Sequence, residues 1–313
     1  MNSNIIPDGI WPVMITPIKQ NGDVDYDALK KLIKWYEASG VHGFFANCLS
    51  SEMYELNRKE RIELTEFVVK HSSIPVLSTG TFYDNTEENV DFIKELSDIG
   101  VDGVVLITSI LAKEEDSDEV LLERIMEIVD HTTGIPLGLY ECPVPYKRLL
   151  SSEAIGKLAS TGRFVYMKDT SCNADVVVSK INAANGSNLK IFNAHTPDCL
   201  HSIRHYGAGI SPIGANFYPE LYTYLWNNGR GEILNEEVIR VKDFLVKNDG
   251  IVHHKYPVSA KYFLSLRGLP ISEDTRKSIE KLEDEDKKQI ENLYDNFLAL
   301  SRNVGISEFA ISE

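Results

Sequence analysis

The stretch 76–108, VLSTGTFYDNTEENVDFIKELSDIGVDGVVLIT, decides the architecture. Residues 76–79 and 103–108 are short apolar runs rich in β-branched side chains. Between them, residues 86–99 carry helical periodicity and stop at Ile99-Gly100, where glycine takes the left-handed backbone cheaply. A strand, a helix and a second strand of the same kind form a unit whose strands run parallel, since strands apolar on both faces need helices to cover them. Working outward, six more runs read as strands, at 11–16, 43–47, 137–140, 164–168, 190–193 and 209–213. Helical segments separate them at 26–39, 58–71, 117–132, 152–159, 174–185 and 197–206, and another follows at 219–228. The pairs Ser39-Gly40 and Tyr206-Gly207 repeat the glycine stop. Eight such units in about 220 residues fit a closed (β/α)8 barrel, the TIM barrel, better than an open sheet.

Past Asn228 the strand signal ends, and helices are expected at 232–248, 257–266 and 275–301. The expected division is a barrel over residues 1–229 and a helical appendage over 230–313, broken at Gly229-Arg230-Gly231. Of the 313 residues 43% are hydrophobic and 25% charged, with 20 Gly and 12 Pro, which excludes collagen-like, low-complexity and disordered classes. A net charge of −15 repels phosphates and anionic headgroups, so neither nucleic acid nor a membrane surface is an expected partner. The acidic clusters at 114–119 and 283–286 read as solvated helix faces or turns. Cys48, Cys142, Cys172 and Cys199 lie too far apart for a zinc or redox motif and suit free thiols. The opening MNSNIIPDGIWPVMITPI lacks a basic stretch followed by a long apolar core, so a cytoplasmic protein is expected.

In such a barrel, chemistry sits at the C-terminal ends of the strands. Phe164-Val165-Tyr166-Met167-Lys168-Asp169 ends in a lysine at that mouth. A lysine in apolar surroundings loses its charge more readily, and the neutral amine attacks ketones to form a Schiff base. The alternative is a lysine that simply reaches solvent. The preceding strand ends in Tyr140, followed by Glu141-Cys142-Pro143. A phenol beside an amine supplies the proton carrier that carbonyl chemistry requires. Asn47-Cys48-Leu49-Ser50-Ser51-Glu52 ends the second strand, where Ser50, Ser51 and backbone N–H groups either hold a carboxylate or form an ordinary turn. His195 follows the seventh strand and reads either as functional or as a cap of the next helix. His253-His254 is adjacent, so its rings leave a helix on different sides and no metal pair is expected. No G-x-G-x-x-G, Walker loop or H-E-x-x-H occurs.

Taken together, these residues resemble the dihydrodipicolinate synthase and N-acetylneuraminate lyase family of pyruvate-dependent class I aldolases. The resemblance spans essentially the whole length. It rests on the opening 9–17, the Gly43 strand leading to Ser51-Glu52 and 56–61, the Tyr-x-x-Pro of Tyr140 and Pro143, and Lys168-Asp169-Thr170-Ser171. The stretch 209–216, Pro219-Glu220-Leu221 and residues 259–270 complete it. The resemblance implies that Lys168 is the Schiff-base lysine, Tyr140 the tyrosine that moves protons around the imine, and the 48–52 stretch the binding site for the keto-acid carboxylate. Within that stretch Ser50 stands in the second threonine's place and Glu52 keeps a structural glutamate. It further implies a small 2-keto acid substrate, no metal, no organic cofactor and a homo-oligomer, tetramer or dimer. Glu141, His195 and Asn216 are the candidates for substrate hydroxyls.

Three departures bear on the reaction. Leu49 replaces the threonine whose hydroxyl links the catalytic tyrosine to a second tyrosine. That second tyrosine is also missing from Thr108-Ser109-Ile110-Leu111-Ala112. Pro145 stands where the synthase branch places an arginine for aspartate semialdehyde, with Arg148 three residues on as its only substitute. The expected function is therefore a class I lyase, aldolase or dehydratase acting on pyruvate or a 2-keto-3-deoxy acid. The alternatives are a 4-hydroxy-tetrahydrodipicolinate synthase and a keto-acid-binding protein that has lost turnover.

Overall fold

The structure, a computed structural model, describes residues 6–306. Its eight strands are β1 (Gly9–Ile10), β2 (Phe44–Asn47), β3 (Val76–Thr79), β4 (Gly103–Ile107), β5 (Leu137–Tyr140), β6 (Phe164–Asp169), β7 (Lys190–Asn193) and β8 (Gly209–Ile210). They form one parallel sheet in the order β1-β8-β7-β6-β5-β4-β3-β2. The ring closes just beyond β1, where Val13 bridges Phe45 and the Met14 N–H donates to the Phe45 carbonyl at 3.0 Å. This is the expected (β/α)8 barrel.

The barrel helices are α1 (Tyr26–Ala38), α2 (Arg58–His71), α3 (Thr86–Ile99), α4 (Thr108–Leu111), α5 (Asp118–His131), α6 (Ser152–Ser160), α7 (Ala174–Ala184), α8 (Cys199–Arg204) and α9 (Pro219–Asn228). After them come α10 (Glu236–Lys247), α11 (Asp249–His253), α12 (Val258–Leu266) and α13 (Asp284–Asn303). Side-chain caps set many starts: Asn57, Asn85, Ser151, Asn173 and Asn235 each accept from a backbone N–H of the first turn. No helix among the described residues is long and apolar enough to cross a membrane. All four cysteines are free thiols.

Several boundaries differ from the sequence reading. The first strand was expected over 11–16, but Pro12 has no N–H to give a ladder. The chain therefore pairs with β8 at Gly9–Ile10 and turns to β2 at Val13. Pro212 stops β8, and Ile213–Asn216 tightens into a 3-10 turn. The helix expected over 197–206 is divided into a 3-10 turn at Thr196–Asp198 and α8. At its end Tyr206, not Gly207, takes the left-handed backbone, with φ 65°. Gly207 answers a different need, since a Cβ there would lie 2.8 Å from the Ser202 carbonyl oxygen. The last helix begins at Asp284 instead of residue 275. Upstream, the N–H groups of Arg276 and Lys277 donate to Glu52 Oε2 at 2.7 and 2.9 Å, which holds that segment out of a helix.

Trp11, Phe45, Tyr166 and Phe192 fill the barrel interior, with the Tyr166 and Phe192 rings stacked at 4.7 Å. They leave no room beside β8. A Cβ on Gly209 would lie 2.0 Å from the Gly9 carbonyl oxygen and 2.6 Å from the Phe192 ring. The β1 backbone cannot retreat, being held on both sides of Gly9 by bonds to Ala208 and Ile210. Gly209→Ala is therefore expected to lose about 1–3 kcal/mol or more, read as a lowered urea midpoint.

The segment after residue 229 packs onto the barrel wall. Val238, Val241, Phe263 and Phe297 share one apolar core with Leu29 and Ile33 of α1 and Leu221 of α9. Arg267, at the end of α12, grips the buried Glu220 carboxylate of α9 with both terminal guanidinium nitrogens, Nη1 and Nη2. These contacts bring the α11–α12 region and residue 277 over the C-terminal mouth of the barrel.

Candidate active site

Along β6 the side chains alternate, so Tyr166 and Lys168 point into the barrel while Met167 and Asp169 point toward the helices. Tyr140 ends β5 in direct register with Lys168. The Lys168 Nζ lies 4.7 Å from the centroid of the Tyr140 ring, and both side chains are buried. Burial lowers the Lys168 amine to about 8, against a smaller upward pull from the neighbouring thiols of Cys48 and Cys142. The same burial pushes the Tyr140 phenol well up. Lys168 forms no salt bridge among the described residues, so nothing fixes it as an ammonium ion.

Behind the pair lies a buried ionic cluster. Lys180 of α7 donates to Glu141 Oε1 and to Asp169 Oδ2, each at 2.6 Å. Glu141 follows Tyr140 and Asp169 follows Lys168, so one ammonium ties together the two strand ends that carry the amine and the phenol. Glu141 also accepts from the N–H groups of Leu150 and Thr170 at 2.7 and 3.1 Å.

The amine opens into a cavity of about 360 Å³, within the range of small-molecule sites. Leu49 and Ser50 form one side, Thr170 and His195 another, and His253 and Tyr256 reach over from the helices after the barrel. Glu52 also borders the cavity, but its carboxylate is taken up by Lys261 Nζ at 3.1 Å and by the two N–H groups of the 276–277 segment. The exposed Lys277 stands at the rim.

A family model described as the dihydrodipicolinate synthetase family matches residues 6–296. The chain belongs to that family. A 4-hydroxy-tetrahydrodipicolinate synthase of Methanosarcina mazei is 28% identical over 214 residues, covering 68% of this chain and 72% of the relative. An uncharacterized DapA-like lyase of Pyrococcus horikoshii is 29% identical over 269 residues, covering 84% and 91%. Among solved structures, a monomeric dihydrodipicolinate synthase variant superposes with a TM-score of 0.86 at 17% identity, covering 95% of this chain and 99% of that one. The expectation of an enzyme of the lyase type agrees with this family membership.

The structure brings Lys168, Tyr140, Ser50 and His195 to the cavity and keeps four other expected residues out of it. Glu141 faces Lys180 behind the wall, because it follows the inward-pointing Tyr140 on an alternating strand. Arg148 turns outward to the Lys113 carbonyl at 2.9 Å and to Asp118 Oδ1 at 3.2 Å. Ser51 closes its own turn, its hydroxyl accepting from the Cys48 N–H at 2.6 Å and donating to the Cys48 carbonyl at 2.7 Å. Asn216 is fully buried. It accepts from the Tyr36 hydroxyl and donates to the Val13 carbonyl at 2.9 Å and to the Tyr256 hydroxyl at 2.6 Å. Asn216 therefore reaches the cavity only through Tyr256.

His195 directs Nδ1 to Asp198 Oδ2 at 2.7 Å and makes no side-chain cap bond. The neighbours His253 and His254 part as expected: His253 borders the cavity and His254 bonds Asp286 at 2.9 Å. Sequence reasoning missed Tyr256, His253 and Lys277 as cavity residues. They lie in the segment after the barrel, and no periodicity shows which of its turns returns to the mouth.

Proposed function

We propose that this protein is a class I lyase whose Lys168 forms an imine with a 2-keto acid, and whose Tyr140 moves the proton as a C–C bond is broken or made or water is lost. The observation that carries this reading is the buried, unpaired amine of Lys168 beside the Tyr140 phenol, open to a cavity of substrate size. The neutral amine attacks the ketone, water leaves, and the iminium draws electrons from the C3–C4 or C3–H bond. Ser50 and the N–H groups of its turn suit the carboxylate. His195, Thr170 and His253 suit the hydroxyls of a 2-keto-3-deoxy acid. A cytoplasmic homo-oligomer belongs to the same reading.

The test is intact-mass spectrometry after incubation with pyruvate and borohydride, followed by peptide mapping. A gain equal to reduced pyruvate, mapped to Lys168, supports the reading. No gain with pyruvate or with larger 2-keto acids sinks it and favours a binding protein without turnover. Because only the neutral amine attacks, the trapping rate should rise with pH and level off near 8, where burial places Lys168. A rate still climbing toward 10 would count against a desolvated amine.

The names of the relatives favour a second reading, condensation of pyruvate with aspartate semialdehyde. Against it, Arg148 is held outward by Asp118, and Pro145 offers no donor to the aldehyde's carboxylate. A coupled reductase assay with aspartate semialdehyde separates the two.

A further inference from the structure

We propose that Tyr256, from the segment after the barrel, binds the carboxylate of the 2-keto acid together with Ser50, with Asn216 and Tyr36 as the positioning residues behind it. This names a partner for one end of the substrate and rests on the reading of Lys168 given above.

The direction of the hydrogen bonds behind Tyr256 is fixed at one end. The Val13 carbonyl can only accept, so the Asn216 atom that meets it at 2.9 Å is the amide nitrogen. The same nitrogen lies 2.6 Å from the Tyr256 hydroxyl, whose oxygen therefore accepts. Asn216 Oδ1 is left to the Tyr36 hydroxyl, which donates to it. The bonds thus run one way, from Tyr36 through Asn216 to Tyr256, and a phenol oxygen that already accepts becomes a stronger donor through its own O–H. Tyr256 borders the cavity, so it offers a ligand there a polarised donor, the complement of a group that only accepts.

The same contacts place Tyr256 on one flank of the mouth. Val13 bridges Phe45 of β2, and the Tyr36 ring lies 5.7 Å from that of Phe44 on the same strand. Just after Val13, the Thr16 hydroxyl donates to the Ser51 carbonyl at 3.0 Å. Tyr256 is thereby tied to the side where β2 ends in the Ser50 turn, whereas Thr170 and His195 follow β6 and β7. The buried ammonium next to that turn, Lys261, is held by Glu52 Oε1 at 3.1 Å and the Asp274 carbonyl at 2.5 Å. The carboxylate is left with hydroxyl donors. Neutral donors orient a carboxylate without discharging it, so its negative charge stays beside the iminium that forms on Lys168.

The experiment follows borohydride trapping by the full chain against the concentration of pyruvate and of methyl pyruvate, its uncharged ester. Tyr256→Phe, which keeps the ring, should raise the half-saturating concentration of pyruvate about tenfold or more, as a lost hydrogen bond to a charged group does. The limiting rate and the half-saturation by the ester should stay within about threefold. Tyr36→Phe should show the same selective loss, a few-fold in size, and it decides if Tyr256→Phe fails to fold. A merely structural role would weaken acid and ester alike. An equal loss for both, no loss for either, or a loss in Lys277→Met with none in Tyr256→Phe overturns the proposal. A parent that traps neither compound removes the Lys168 reading itself. Calorimetric binding of pyruvate, which needs no imine, then decides for Tyr256, and equal binding or none in parent and Tyr256→Phe overturns its role.

Discussion

Lys168→Ala should abolish the borohydride-trapped adduct and lower turnover of a 2-keto acid by about four powers of ten or more. The expected loss is this large because Lys168 is the buried amine beside the Tyr140 phenol. Lys180 is locked between two carboxylates behind the wall, Lys147 donates to the Thr170 carbonyl at 2.9 Å, and Lys277 stands exposed at the rim. The fold should survive, since Lys168 makes no salt bridge among the described residues and its removal strands no buried carboxylate. Thermal unfolding of the variant provides that control. An adduct of undiminished yield in Lys168→Ala would place the imine elsewhere and remove the basis for the proposed function.

Lys180→Met should cost about 3–5 kcal/mol of stability at neutral pH, the usual cost of breaking a buried ion pair from one side. It leaves Glu141 and Asp169 facing each other with no cation, both buried. The loss should depend on pH with a definite sign. Burial already pushes Glu141 upward against the pull of Lys180, and without the ammonium the two carboxylates repel, raising it further. A carboxyl whose folded pKa lies above its unfolded value favours the fold at pH below the unfolded value, and that contribution is lost as pH rises through the folded one. The deficit against the parent should therefore be smaller at pH 5.5 than at pH 7.5 in urea titrations. An equal deficit at both would mean that the cluster holds a proton even with Lys180 present. Because Lys180 ties the residues after Tyr140 and Lys168, the folded variant should also trap pyruvate more slowly.

How much was legible in the chain follows from the range of each interaction. Thr86–Ile99 is a helix between two strands because its caps, Asn85 and Gly100, and its periodicity all lie within its own length. Lys168 and Tyr140 could be paired in advance because consecutive strands of a parallel barrel are neighbours, and each residue ends its strand. Glu141 and Arg148 were misplaced for the complementary reason. Which way a residue turns just past a strand depends on what waits there, and Lys180 and Asp118 wait outside the cavity.

The sequence by itself determined the alternation of strands and helices, the closed barrel, and a lysine and tyrosine side by side at its mouth, because period, capping and chain order are local properties. Only the tertiary structure decided the rest. Glu52 meets Arg276 and Lys277 across more than two hundred residues, and Asn216 steadies Tyr256 above the amine. Such contacts depend on the paths of loops through a packed interior, where burial forces each polar group to find whatever partner the fold brings within reach.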